Sequence, residues 1–223
     1  MYSLLFIPLI ISWVIGWRFK NRISHFSSIP LSSGLSGSVI AEMMLKQNAI
    51  YDVKVVEGSG SLTDHFDPSI KTVSLSPDVY HGNSIASAAI AAHECGHALQ
   101  QARAYAFLSW RSGLIPAMNI ANTWAPWLII GGFFAVAVFP FLLIAGICLL
   151  AVTVIFSLIT LPIEFDASRR ALAWLDNQPA IISSDQHRNA AEALRWAAMT
   201  YVAAALASLG TLLYYLSFLN KRH

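Results

Sequence analysis

The sequence predicts a mostly α-helical, multi-pass membrane protein with about four transmembrane helices and a small α+β part outside the bilayer. Three observations carry that prediction. Of 223 residues, 56% are hydrophobic and only 12% charged, whereas a soluble domain carries about 25% charged residues. Long stretches lack charge altogether: residues 112–163 contain no Lys, Arg, Asp or Glu. One segment outside those stretches concentrates chemistry, the run His93-Glu94-Cys95-Gly96-His97. The net charge of +2 is too small to argue for nucleic acid as a partner.

Residues 1–18 are expected to form transmembrane helix 1. The apolar run from Tyr2 to Trp17 ends at Arg18, Lys20 and Arg22. A cleaved secretory signal carries its positive charge before the apolar core and small residues at a cleavage site, so a retained span is the better reading. Residues 19–111 then form the first extramembrane region. Within it, Ser27 to Ser38 is rich in Ser, Gly and Pro and reads as a loop, and Val39 to Gln47 reads as a short amphipathic helix. Asp52 to Val56 and Thr72 to Ser76 alternate in strand fashion. With the turn-rich connection from Gly58 to Pro68 between them, they predict a small antiparallel β element. An edge strand there could pair with an extended peptide; a purely structural hairpin explains the pattern equally well.

The segment from Ser84 to Arg103 is rich in Ala and free of Pro, which predicts a helix with N-cap chemistry at Gly82, Asn83 and Ser84. On a helix, positions i and i+4 share a face. His93 and His97 can therefore grip one Zn²⁺ from one side, and Glu94 can reach a water on the open side as general base. The bland alternative is two ordinary helix histidines with a partnered Glu. By composition alone, H-E-x-x-H arises in roughly 1 of 200 such chains. Gly96 costs a helix about 1 kcal/mol relative to Ala, which suggests close approach of another backbone. Cys95 points off the histidine face and reads as a small packed residue.

Residues 112–163 are too long for one span and fit a hairpin, transmembrane helices 2 and 3, at about Ile115 to Val138 and about Phe141 to Leu161. A single span kinked at Pro140 is the alternative. Residues 164–195 form a second extramembrane segment and residues 196–219 transmembrane helix 4. Two crossings return the chain to the side it left, so residues 164–195 should share a compartment with His93. That side carries 12 of the 14 Lys and Arg residues. The excess of positive charge places it in the cytoplasm of a plasma (inner) membrane protein, weakly opposed by Lys221 and Arg222.

A catalytic zinc needs three protein ligands and an open position. Glu164 lies on the required side, just after Pro162, which is tolerated in a first helical turn. A solvated residue at a span end is the competing reading. Ser168 falls at i+4 from Glu164 and could support a ligand, while Asp166 faces elsewhere, toward Arg169 or Arg170. Asp64, His65 and Asp67 read as Asx-turn chemistry, with a second metal or a substrate contact as the alternative. His81 and Tyr80 read as packing or capping residues, and His187 as exposed.

The chain resembles the YugP-type family of membrane zinc-dependent neutral metallopeptidases. The resemblance rests on Leu62 to Pro68, Leu75 to Gly82, Ala92 to Gln100, Pro162 to Leu172 and Thr200 to Leu206. More distantly the chain is similar to the HtpX and CaaX prenyl protease group, in which a Glu opening an E-x-x-x-D segment completes the zinc site. The resemblance implies that Glu164 is the third ligand and that the extramembrane part is zincin-like. It also exposes a departure, because Ser168 stands where that pattern has Asp.

The expectation is an integral membrane zinc metalloendopeptidase. Its metal ligands are His93, His97 and Glu164, its catalytic residue is Glu94, its cofactor is Zn²⁺, and its partners are the lipid bilayer and a protein or peptide substrate. The alternative is a non-catalytic zinc-stabilised membrane scaffold or adaptor, in which His65 or His81 closes the metal site. A small transporter is disfavoured because the spans carry no ionisable residue.

Overall fold

The computed structural model of the chain describes residues 3–220; Tyr2, Lys221 and Arg222, which enter the span and charge readings above, lie outside the described residues. Seven helices and three strands follow in the order α1 (Ser3–Ser27), α2 (Gly37–Gln47), β1 (Lys54–Glu57), β2 (His65–Asp67), β3 (Thr72–Leu75), α3 (Pro77–Tyr80), α4 (Ile85–Ala102), α5 (Ala106–Ala135), α6 (Phe141–Asp176) and α7 (Ser184–Asn220). They divide into two compact units. Among the described residues, the apolar unit comprises 3–15, 106–162 and 200–220, and the polar unit comprises 16–105 and 163–199.

Within the apolar unit, α5 and the start of α6 are joined by a turn over residues 136–140, in which Val138 and Phe139 donate their N–H groups to Ala135 O. Glycine permits the contact between them. A Cβ on Gly146 would lie 3.0 Å from Ile129 N, and one on Gly132 would overlap the Leu143 backbone. Gly210 of α7 meets Leu4 of α1 in the same way. Small residues at such crossings let apolar helices approach where lipid offers no hydrophobic drive. Among the described residues, α1, α6 and α7 are the helices long and apolar enough to cross a membrane. α5 has the length, at 30 residues, but Asn119, Asn122, Thr123, Pro116 and Pro126 dilute its apolar character. Its outer face keeps Trp124 and Trp127 exposed.

The polar unit is built around α4. Ser84 caps it, accepting from Ser87 N at 3.1 Å, as the turn residues before the helix predict. At the other end Ala104 adopts φ +49°, and Tyr105 N and Ala104 N bond back to Gln100 O and Gln101 O, a Schellman closure. Nearly every residue of α4 is buried, because its small side chains let neighbours close in on several faces. Ile40, Ala41 and Met44 of α2, all fully buried, belong to the same core as Ala88, Ala92 and Cys95.

Two expectations are corrected here. β1 and β3 pair in parallel, with Lys54 opposite Thr72, and β2 is the antiparallel neighbour of β3, giving the strand order β1-β3-β2. The connection read as turn-rich holds its own strand. Asp67 Oδ1 accepts from Ser69 N at 2.8 Å and Lys71 takes φ +50°, so β2 and β3 close a tight hairpin. The chain from Gly58 to Lys71 is then long enough for the crossover that a parallel pair requires. The second correction concerns Pro162. It lies inside a continuous α6 and does not open a new helix, so Glu164 is displayed by the helix that carries the apolar residues 141–161.

Candidate metal centre

α4 and the last part of α6 bring the site together. A Cβ on Gly96 would lie 2.5 Å from Ala167 O, so only glycine allows the α6 backbone to come this near. The predicted close approach is thus the contact that presents Glu164 to the two histidines. His93 Nε2 lies 3.3 Å and His97 Nε2 3.6 Å from Glu164 Oε2. The imidazole rings stand edge to face, 4.8 Å between centroids at 82°. One nitrogen from each ring and one carboxylate oxygen all lie within 4.8 Å of one another.

That geometry fits zinc. Ligand atoms about 2.0–2.1 Å from one ion in tetrahedral directions stand about 3.4 Å apart, close to both nitrogen–oxygen distances. The donor set, two imidazoles and one carboxylate, is the chemistry zinc takes in hydrolytic sites. All three side chains are at least four-fifths buried, so they are shielded from bulk water.

The surroundings hold each histidine by its other nitrogen. Ser168 Oγ lies 3.1 Å from His93 Nδ1, which gives the serine at the departure from E-x-x-x-D a direct place beside the site. Gln100 Oε1 lies 3.0 Å from His97 Nδ1. Asp166 touches neither histidine. It pairs with Arg169 and, at 2.6 Å, with Arg170, and it accepts from Gln100. Burial works against the charged form of His97, but its hydrogen bond to Glu164, the charges of Glu94 and Glu164, and Gln100 outweigh it, so its pKa is raised in the absence of metal. Burial, reinforced by the Glu94 charge, pushes the Cys95 thiol far up, and Cys95 packs with its Sγ 3.5 Å from Ala41 O, as a small core residue.

Glu94 is only 8% exposed and makes no side-chain hydrogen bond or ion pair among the described residues. Its carboxylate lies one residue from the candidate ligand His93. The other candidates are engaged elsewhere. His65 Nδ1 meets Thr63 O at 2.7 Å, His81 pairs with Glu57 at 3.2 Å, and His187 is half-buried against Leu172 O. None joins the three-residue cluster. Gln100 escaped the sequence reading. Its signal was present, since it stands at i+3 from His97 and therefore on the same helical face.

Helices able to cross a membrane together with a His–His–Glu cluster define the class of a membrane protein with a potential hydrolytic metal site. The comparisons narrow that class. The family described as "Putative neutral zinc metallopeptidase" matches residues 1–220, and the chain belongs to it. The chain is also 40% identical over 207 residues to the "Putative membrane protease YugP" of Bacillus subtilis (strain 168), covering 92% of this chain and 91% of that protein. No solved structure matches the chain.

Proposed function

We propose that the protein is a zinc-dependent endopeptidase of the H-E-x-x-H type that cleaves membrane proteins or their juxtamembrane segments. The observation that carries this reading is the convergence of His93 Nε2 and His97 Nε2 on Glu164 Oε2, at 3.3 and 3.6 Å, with one ligand atom from each residue within 4.8 Å of the others. Zinc held there would supply Lewis acidity, bringing the pKa of a water down toward roughly 7 and polarising a carbonyl. His93, His97 and Glu164 would hold the ion. Glu94 takes the proton of the attacking water and passes it to the leaving amine. A set of three protein ligands would suit catalytic zinc, which keeps an open position, whereas structural sites are closed. The engagement of His65 and His81 elsewhere weighs against the scaffold reading for the same reason.

The edge strand β2 contacts α4 and offers its unpaired backbone edge to an extended substrate. α5 serves as the remaining span of a four-span topology, with residues 19–111 and 164–195 in the cytoplasm, on the strength of the Lys and Arg bias. The test uses the purified full chain in detergent, with zinc content and cleavage of an unfolded membrane protein measured together. Glu94→Gln keeps one zinc per chain and lowers the cleavage rate by about 10²–10⁴-fold. Glu164→Ala loses zinc. Wild-type turnover by Glu94→Gln refutes the mechanism, and full zinc retention by Glu164→Ala removes Glu164 from the ligand set.

A further inference from the structure

Gln100 is fully buried, and its amide has a partner on both sides. Its Nε2 lies 2.7 Å from Ile163 O and 3.0 Å from Asp166 Oδ2, while its Oε1 lies 3.0 Å from His97 Nδ1. A backbone carbonyl only accepts, and so does an ionised carboxylate. Both hydrogens of the Gln100 amide are therefore committed, and the amide has one orientation. The oxygen that faces His97 can only accept, so His97 must carry its proton on Nδ1. A neutral imidazole with a proton on Nδ1 presents its lone pair at Nε2, the atom turned toward Glu164.

Asp166 is held in its acceptor role by Arg169 and Arg170. We infer that Gln100 and Asp166 are positioning residues for the metal centre: they form an arginine–carboxylate–amide relay that locks His97 in the tautomer able to bind zinc through Nε2. The inference rests on the zinc reading above. It also accounts for the departure at Ser168. The carboxylate missing from position 168 is supplied from Asp166, one amide further out, and it steadies the other histidine. The two histidines are thus held unequally. His93 faces a hydroxyl that can donate or accept, so Ser168 steadies its ring without dictating its tautomer. His97 faces an acceptor with no alternative.

Outer partners of metal-bound histidines are worth about 10–100-fold in metal affinity, which sets the scale of the test. Zinc affinity of the full-length protein in detergent is measured by competition with a chelator of known affinity, with circular dichroism as a check on folding. Gln100→Leu keeps the volume but removes both polar functions, and is expected to weaken zinc binding by about 10–100-fold. Gln100→Glu alone restores the acceptor at His97 but sets two carboxylates against each other, and is expected to bind weakly as well. Adding Asp166→Asn to it supplies one donor to the introduced carboxylate, which still faces Ile163 O, and is expected to recover part of the lost affinity. A folded Gln100→Leu protein with wild-type affinity overturns the inference. If Gln100→Leu does not fold, the pair decides, and a double variant no tighter than Gln100→Glu overturns it. Failure of the wild-type protein to bind zinc overturns the underlying reading instead, so the two failures are distinguishable.

Discussion

The polar and apolar units use glycine for the same geometric purpose and for different ends. In the apolar unit, Gly132, Gly146 and Gly210 let helices touch backbone to backbone, and the residues around them are interchangeable hydrocarbon. Large side chains such as Phe134, Val138 and Trp127 remain outward-facing and 69–90% exposed, a surface that lipid satisfies and water does not. In the polar unit, Gly96 makes one such contact with Ala167, and around it lie the buried polar groups Glu94, His97, Gln100, Glu164, Asp166 and Ser168. Burying polar groups is costly unless each finds a partner, so this neighbourhood tolerates one arrangement. The contrast is between packing that only excludes solvent and packing that sets donor and acceptor positions.

The contrast is broken most severely at Gly96. Gly96→Val must push α6 away from α4, because the obstructing atoms belong to the Ala167 backbone and cannot rotate aside. A shift of even 1 Å spoils a three-ligand cluster, so zinc affinity should fall by more than 100-fold, on the order of 3 kcal/mol or more, as read by chelator competition. The matching change in the apolar unit, Gly132→Leu, meets the Leu143 backbone. It should cost about 1–3 kcal/mol of stability by overpacking, seen as a lower melting temperature in detergent. Zinc affinity should stay at the wild-type value, since all three proposed ligands lie in the other unit. Loss of zinc in both variants would show that the two units are not separable in function.

The smallest expected effect is one of pH. The pKa of His97 is raised in the metal-free protein, so the folded state holds that proton more tightly than the unfolded chain does. The resulting stabilisation is fully present below the ordinary histidine value of about 6.5 and is lost as pH rises through the raised value. Zinc reverses the sign, because the ligand must be deprotonated to bind. Melting temperatures measured across pH with zinc and with chelator should therefore diverge as pH rises, and parallel curves would contradict the coupling.

How much was legible in the sequence depended on how local the signal was. The ends of α4 were readable because capping at Ser84 and closure near Arg103 are settled within a few residues. The helix boundary near Pro140 was readable because that proline interrupts a 52-residue stretch without charge. The parallel pairing of β1 with β3 was not readable, because alternation specifies a strand but not its neighbour, and the short strand β2 was hidden among turn residues. The continuity of α6 through Pro162 is not legible in the sequence, because a proline near a polar boundary carries the same signal as one in a first helical turn. Gln100 stood on the right helical face, yet nothing in the chain indicates that Ile163 O and Asp166 come within reach of it.

The sequence by itself determined the elements and the chemistry available to them, namely apolar stretches able to span a membrane, a helix with two imidazoles and a carboxylate on adjoining positions, and a second carboxylate 67 residues after His97. Periodicity and capping act over one or two turns, and one chain is enough to read them. The tertiary structure alone decided that Glu164 meets His93 and His97, that Ser168 takes His93 and Gln100 takes His97, and that Asp166 acts through an amide. Each of these is a contact between residues 63–75 positions apart, apart from the three-residue step within α4. Such contacts exist because a glycine removes the one Cβ that would have kept two helices apart.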